Sequence, residues 1–163
     1  MWGKSAFLGV CLMGLSSAAM ADNPRPFGKG FDNWSFTQQT EKPGVVNCRA
    51  HHRVGGRDDI LAARTKGPAY LSVRADDRKG KYKDSIILPL REPETGMQWT
   101  LLAEANGKRL WFIMPANAIE MIADRGGYTY LLGGTEDRDD VNLGKSAAAA
   151  WRRVKECVVA NGG

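Results

Sequence analysis

The stretch Ser146-Ala-Ala-Ala-Ala-Trp-Arg-Arg-Val-Lys-Glu-Cys-Val-Val159 decides the fold, because it predicts an amphipathic helix with a cysteine on its apolar face. Its apolar residues recur at the three- and four-residue spacing of one helix face, while the charged residues fall on the other. Ser146 suits the N-cap, and Gly162 stands where the chain would leave the helix. The rest of the chain must supply a surface that buries the apolar face. That face comprises Ala147, Ala150, Trp151, Val154, Cys157 and Val158.

Cys48 offers Cys157 a disulfide partner. Two cysteines in an exported chain usually pair, because the compartment is oxidising. The crosslink would close a loop of 110 residues (157 − 48 + 1), and the chain-entropy model assigns about 4–5 kcal/mol to such a loop. The alternative leaves two unpaired thiols. Pairing predicts that the terminal helix is held against an early strand.

Residues 1–21 have the pattern of a secretory signal peptide. They contain one charge, a short apolar run and Ala-Met-Ala directly before Asp22, which is typical of a cleavage site. A lipid anchor at Cys11 is the alternative, but Val10 is larger than the small residue that lipoprotein processing prefers. Export therefore places the mature chain in the periplasm or outside the cell.

The mature chain is predicted to be a single domain. Residues 22–30 contain Pro and Gly at alternate positions and predict a flexible lead-in, so the β-rich domain spans 31–163. No later apolar stretch is long enough for stable membrane insertion. The formal net charge is +5, but the two signs are interspersed, unlike the basic stripe of a nucleic-acid-binding protein. No nucleic-acid partner is therefore expected.

Between the lead-in and the terminal helix, short apolar runs alternate with turn signals, which predicts strands. Asn106-Gly107 is the strongest hairpin signal, and Pro89 indicates that its strand ends there or lies at a sheet edge. Residues 60–63 fit a helical turn equally well. The predicted strands are residues 33–39, 45–50, 60–63, 69–75, 84–90, 97–103, 108–114, 128–132 and 141–143.

One short internal helix is predicted over residues 115–124, where the apolar rhythm changes from two to 3.6 and Gly126 can supply a left-handed exit. Together, these strands and helices predict an α+β fold. It consists mainly of an antiparallel β-sheet, a sandwich or a curved sheet, with the internal helix and the C-terminal helix packed on it.

The sequence contains no motif typical of a catalytic, metal or cofactor site. Cys48, His51 and His52 are close in sequence, but on a strand the two histidines point to opposite faces. The acidic loop 136–140 lacks the central glycine and distal glutamate of a Ca²⁺ loop. Gly144-Lys145-Ser146 lacks the first glycine of a phosphate-binding loop. We therefore expect no enzyme and no cofactor.

The expected function is instead the binding of a macromolecular partner, either a protein or a glycan of the cell envelope or of a host. Tyr128 and Tyr130 share one face of a strand and are the candidate partner-binding residues. An inhibitor of an envelope-directed hydrolase is one variant of this hypothesis. The competing hypothesis is a small hydrolase of envelope polymers that uses carboxylates such as Glu104, Glu120 or Asp139. A structural or assembly role is the third.

The order of features resembles that of small exported proteins of Gram-negative bacteria. These features are the signal peptide, Trp34 followed by Cys48, the strand Ile-Leu-Pro-Leu90, a strand–helix–strand unit and the final helix. The chain is similar in this respect to the invasion-associated locus B family. The resemblance implies an alphaproteobacterial envelope protein without known catalysis, linked in some members to host-cell interaction. It carries over no binding residue.

Overall fold

The computed structural model describes residues 21–74, 86–91, 98–106, 109–115, 117–131 and 138–163. Two helices lie in these ranges, α1 (Ala118–Arg125) and α2 (Ala147–Ala160). The strands of the same ranges are β1 (Arg25–Pro26), β2 (Trp34–Lys42), β3 (Val45–Val54), β4 (Arg57–Arg64), β5 (Ala69–Arg74), β6 (Ile86–Arg91), β7 (Gln98–Asn106), β8 (Arg109–Met114), β9 (Gly127–Leu131) and β10 (Arg138–Asn142).

The ten strands of the described ranges form one sheet in the order β1-β2-β3-β4-β5-β8-β7-β6-β9-β10. Every neighbouring pair is antiparallel. The predicted α+β class, with a mainly antiparallel sheet, a short internal helix and a C-terminal helix, is confirmed. In the part of the chain that is described, no helix has the length and apolar character needed to cross a membrane.

Helix α2 packs on one face of the sheet, which we call the inner face. The predicted apolar stripe is buried except at Val158, which is partly buried, and α2 contacts β2, β3, β4 and α1. Cys157 forms a disulfide with Cys48 of β3, with a Cα–Cα distance of 5.9 Å. Both cysteines are fully buried. The predicted crosslink between the terminal helix and an early strand is therefore present.

The sheet is strongly curved, so that β9 and β10 return over the inner face. Arg57 at the start of β4 donates a hydrogen bond to Asp139 of β10 at 3.1 Å, although five strands lie between β4 and β10 in the sheet order. The rings of Phe112 and Tyr130 lie 5.7 Å apart across the same space. Of the two architectures left open by the sequence, the structure is the curved sheet.

Several local features differ from the sequence predictions. β6 continues through Pro89 to Arg91 and lies between β7 and β9, rather than ending or lying at an edge. It pairs with β9 only at Leu90 and Arg91, so Pro89 does not interrupt that ladder. Residues 25–26 of the predicted lead-in pair with β2 as β1. Ser146 precedes α2, but its side chain makes no capping hydrogen bond.

The left-handed exit of α1 is confirmed at Gly126, where φ is 73°. Its backbone N–H bonds the carbonyls of Ile122 and Ala123. A Cβ atom at this position would lie 2.7 Å from the carbonyl oxygen of Gly144. Glycine is therefore required here both by the backbone conformation and by the close approach of the chain.

Candidate functional site

The outer face of the sheet, opposite α2, carries a cluster of arginine and aromatic side chains. Alternation along β3 turns Cys48 and Ala50 inward, which turns Asn47, Arg49 and His51 outward. Neighbouring strands add further arginines at outward positions. We call this cluster the arginine face and define it by Arg49, Arg64, Tyr70, Arg109 and Trp111.

Arg64 is held by the carboxylate of Glu41. The Arg64 Nε and Glu41 Oε2 atoms lie 2.6 Å apart, and a terminal nitrogen of Arg64 donates to Oε1 at 3.3 Å. Asn47 donates a further hydrogen bond to Oε1 at 2.7 Å. Burial opposes ionisation of Glu41, but the hydrogen bonds from Asn47 and Arg64 outweigh burial and lower the pKa of the carboxyl. Arg64 also donates to the Tyr70 hydroxyl and lies over the Tyr70 ring.

Arg109 is fixed by Asp58 and Ser72. Its Nε donates to the Ser72 hydroxyl at 2.8 Å, and one terminal nitrogen lies 3.3 Å from Asp58 Oδ2. The other terminal nitrogen donates to the backbone carbonyls of both residues. Burial lowers the pKa of Arg109, and Asp58 opposes that shift. This guanidinium is therefore committed to contacts within the fold.

Arg49 lies between these two arginines and has weaker partners. Its nearest carboxylate oxygen, on Glu41, is 3.9 Å away, which is beyond hydrogen-bond distance. Its Nε atom is buried and has no hydrogen-bond partner among the described residues. The guanidinium carbon lies 5.5 Å from the ring centroid of Trp111. Burial lowers the pKa of Arg49, Glu41 raises it, and Arg64 and Arg109 lower it further.

A hydroxyl–imidazole–carboxylate chain crosses three strands beside the arginine face. His51 Nε2 lies 3.1 Å from Thr37 Oγ1, and His51 Nδ1 lies 3.3 Å from Asp58 Oδ1. Burial raises the pKa of Asp58, but contacts with His51 and nearby arginines lower it to below its usual value. An ionised Asp58 only accepts hydrogen bonds, so Nδ1 donates to it, and in the neutral imidazole this leaves Nε2 as the acceptor for the Thr37 hydroxyl. The same order of groups activates hydroxyl nucleophiles in hydrolases.

A second polar cluster lies inside the curved sheet. Asp59 is 3% exposed; its Oδ2 lies 3.5 Å from Arg57 Nε, and its Oδ1 has no hydrogen-bond partner among the described residues. Burial raises the pKa of Asp59, with Arg57 opposing the shift. His52 stacks on Trp34 with ring centroids 4.7 Å apart, and burial lowers the pKa of this histidine. We call Trp34, His52, Arg57 and Asp59 the inner cluster.

The predicted partner-binding residues lie beside the inner cluster rather than on the surface. Tyr128 and Tyr130 are 2% and 1% exposed. The Tyr130 hydroxyl donates to Asp139 Oδ2 at 2.6 Å, and burial, followed by the Asp59 charge, raises the pKa of Tyr128 well above its ordinary value. Their shared face is confirmed, but it points into the core. Partner binding by these tyrosines stays a prediction that their placement does not support.

The carboxylates of the hydrolase hypothesis have separate neighbours. Glu120 on α1 pairs with Lys155 of α2 at 2.6 Å. Asp139 on β10 faces Arg57 and Tyr130. The side chain of Glu104, like most of the acidic loop 136–140, lies outside the described residues. The structure therefore does not bring Glu120 and Asp139 together in one acid–base pair.

Two histidines adjacent in sequence point to opposite faces of β3, as their spacing predicts. His51 contacts Thr37 and Asp58 on the outer face, whereas His52 stacks on Trp34 on the inner face. Within the described ranges, no three His, Cys, Asp or Glu side chains are grouped to hold a metal ion.

The fold and its outer face define an α+β domain with an arginine-rich sheet surface. No protein-family model, curated protein or solved structure matches the chain. The arginine face was not predicted from the sequence. The polar positions of β3 were visible from their alternation, but the approach of Trp111 and Arg109 depends on the pairing of β5 with β8.

Proposed function

We propose that this protein is a periplasmic or secreted domain that binds an acidic protein of the cell envelope or of a host through the arginine face. The observation that carries the proposal is the excess of positive charge there. Three guanidinium groups, those of Arg49, Arg64 and Arg109, share the carboxylates of Glu41 and Asp58. An acidic surface would balance the charge that remains.

Partial burial makes this charge more effective than a solvated one. The side chains of Arg49, Arg64 and Arg109 are 21%, 33% and 19% exposed. The surrounding protein reduces screening by water, so a charge complementary to these groups interacts more strongly than on an open surface. The same groups remain reachable from solvent, which a docking surface requires.

The composition of the face favours a protein over a neutral glycan. Arginine, tryptophan and tyrosine are the residues most enriched at the energetic centres of protein interfaces. Guanidinium groups already lie over the rings of Tyr70 and Trp111, at 4.7 Å and 5.5 Å from the centroids. Sugar stacking would have to displace them, whereas pairing with carboxylates keeps the stacks intact.

The disulfide supports an extracytoplasmic location. Stable disulfides are typical of oxidising compartments, and Cys48–Cys157 joins β3 to the C-terminal helix α2. The predicted signal peptide and the resemblance to the invasion-associated locus B family support the same location. Together they favour partners in the envelope or in a host.

Capture of proteins from envelope and host-cell extracts tests the proposal. Crosslinked pull-downs compare the unaltered protein with the double variant Arg49→Gln, Arg64→Gln. The matched control, Arg152→Gln with Arg153→Gln, also removes two charges, but from α2 on the other side of the sheet. We expect the double variant to lose specific partners and the control to retain them. Capture by the unaltered protein should weaken as salt rises, because screening reduces attraction between exposed charges.

Two outcomes would contradict this function. Equal recovery of the same proteins by the double variant and the control would remove the arginine face from binding. Capture that survives protease digestion of the extract but is lost on removal of glycans would replace the protein partner by a glycan. Circular dichroism of each variant verifies that the fold is retained.

A second candidate function is hydrolysis of an ester or amide on the outer face. The observation that favours it is the chain from Thr37 through His51 to Asp58. In this reaction the Thr37 oxygen attacks the carbonyl carbon while His51 Nε2 takes the hydroxyl proton and later passes it to the leaving group. Water then releases the acyl group from Thr37. These residues replace Glu104, Glu120 and Asp139 in the hydrolase hypothesis.

Hydrolysis of a chromogenic ester and of peptidoglycan tests the second candidate. Thr37→Val removes the hydroxyl, and Thr40→Val, on the other face of β2, is the matched control. Loss of activity in the first variant alone supports the chain. Activity that is equal in both variants, or missing from the unaltered protein on both substrates, rejects it.

A further inference from the structure

The incomplete neutralisation of Arg49 identifies a place on the arginine face where a ligand group can bind. Two of its neighbours have direct carboxylate contacts: Arg64 with Glu41 at 2.6 Å and Arg109 with Asp58 at 3.3 Å. Arg49 has its closest carboxylate oxygen at 3.9 Å. One positive charge of the three is therefore without a directly bonded carboxylate among the described residues.

The carboxylates nearest to Arg49 are already committed. Glu41 accepts hydrogen bonds from Asn47 and Arg64, so moving it toward Arg49 would break contacts that lower its pKa. Asp58 is engaged by His51 and Arg109. Neither carboxylate can serve Arg49 without leaving another group unpaired, which is unfavourable for partly buried charges.

The surroundings position the Arg49 guanidinium instead of neutralising it. Its cation lies over Trp111, whose ring also faces Arg109 with a centroid distance of 5.8 Å. Directly across β4, Arg49 pairs with Ala62, which is fully buried. The contact with the Trp111 ring restricts the movement of the cation. The guanidinium is therefore partly preorganised for a planar acceptor, which reduces the entropy lost on binding.

We propose that Arg49 is the subsite that receives a carboxylate from an aspartate or glutamate side chain of the partner. The two terminal nitrogens of a guanidinium can each donate to one oxygen of a carboxylate. The Nε atom of Arg49 is buried, so the terminal nitrogens of this partly exposed side chain receive the ligand. Neither donates a hydrogen bond to another described residue, so a bidentate contact there breaks no existing hydrogen bond. This inference rests on the proposed function, because it assigns the central contact of that binding surface.

Titration with small anions tests the subsite without the partner. Nuclear magnetic resonance of the arginine Nε–H groups follows addition of acetate, inorganic phosphate and chloride at matched ionic strength. We expect acetate to shift the Arg49 signal with saturation, and chloride to leave it almost unchanged. Arg49→Lys keeps the charge but loses the fork, so acetate affinity at this face, followed on the neighbouring Arg109 signal, should fall by about tenfold.

A matched control separates the subsite from general attraction. Arg53→Gln removes a guanidinium that is 61% exposed on the same side of β3, and it should leave acetate binding at Arg49 within about twofold. Equal weakening by Arg49→Lys and Arg53→Gln, a response that does not saturate, or a response to phosphate alone would overturn the assignment.

The two proposals can fail separately. Partner capture that depends on the arginine face, combined with no saturable acetate shift at Arg49, rejects the subsite and retains the binding function. Acetate binding at Arg49, combined with partner capture that is unaffected by the double variant Arg49→Gln, Arg64→Gln, rejects the binding function and retains an anion subsite.

Discussion

Replacement of Arg57 by methionine tests the energetics of the inner cluster. Arg57 is the cation that compensates the buried carboxylate of Asp59, with Nε and Oδ2 3.5 Å apart. Methionine preserves much of the apolar stem and removes the charge. The variant therefore leaves the carboxylate buried without its cation, which is the most unfavourable state of such a pair.

The expected loss lies between the values for buried and surface pairs. The Asp59 side chain is 4% exposed, but that of Arg57 is 41% exposed, so water screens part of the interaction. Removing one partner costs about 3–5 kcal/mol in a fully buried pair and at most about 1 kcal/mol at the surface. We expect Arg57→Met to lower the free energy of unfolding by about 2 kcal/mol at pH 7.

Neutralising the Asp59 carboxylate should change the free energy of unfolding much less than removing Arg57 does. Asp59→Asn keeps the shape and removes the buried charge, so its stability should stay within about 1 kcal/mol of the unaltered protein. In that background, Arg57→Met should cost less than about 1 kcal/mol, because no charge is left uncompensated. Asp139→Asn is the control for the other contact of Arg57, since the Asp139 side chain is 26% exposed.

Acidification should reduce the loss of stability caused by Arg57→Met. Burial raises the pKa of Asp59 above its ordinary value of 3.8, so the native state binds a proton at a higher pH than the unfolded state does. Stability contributed by this group therefore rises as pH falls through the raised pKa. Urea unfolding of non-reduced protein, followed by far-ultraviolet circular dichroism at pH 7 and pH 4, measures the difference.

A large loss of stability in Asp59→Asn would refute the argument that the buried Asp59 charge is unfavourable. If this variant is destabilised as much as Arg57→Met, and the double variant loses no more than either, the ion pair is a net source of stability. A deficit of Arg57→Met that is equal at both pH values would also exclude an uncompensated Asp59 charge as its cause.

Three further predictions concern stability elsewhere in the fold. Cys48→Ser should lower the free energy of unfolding by about 4–5 kcal/mol through loss of loop closure, measured by urea unfolding; no change with or without reductant would contradict the crosslink. Gly126→Ala should lower the melting temperature more than Gly55→Ala, because both have positive φ but only the first places a Cβ 2.7 Å from the Gly144 oxygen; equal losses would refute the steric argument. Glu41→Gln should weaken the fall in stability below pH 4.5, since the lowered pKa of Glu41 contributes stability that is present above that ordinary value and lost as pH falls through the folded pKa; an unchanged pH profile of unfolding would exclude this contribution.

Much of the fold was predictable because it depends on local periodicity. The stripe of α2, the left-handed exit at Gly126 and the pairing of Asn106 with Arg109 in the predicted hairpin all follow from neighbouring residues. The cysteine count, together with the predicted export, then predicted the disulfide. The continuation of β6 through Pro89 was not predicted, because it depends on which residues of β9 reach that strand.

The candidate site was less predictable because its members come from distant parts of the chain. Tyr128 and Tyr130 share a face, but strand alternation cannot say whether that face meets solvent or a second layer of the same sheet. Curvature brings β9 over the inner face, where Tyr130 contacts Phe112 of β8 and Asp139 of β10. The residues predicted to meet a partner are for that reason in the core.

The sequence by itself determined the α+β class, the amphipathic terminal helix and the identity of the crosslinked cysteines, since composition and short-range periodicity specify these. Only the tertiary structure decided which polar residues form a common surface. Arg49 and Trp111 meet because β5 pairs with β8 and the outer face is continuous across β3, β4 and β5. Strand order depends on the packing of the whole sheet, and no local pattern encodes it.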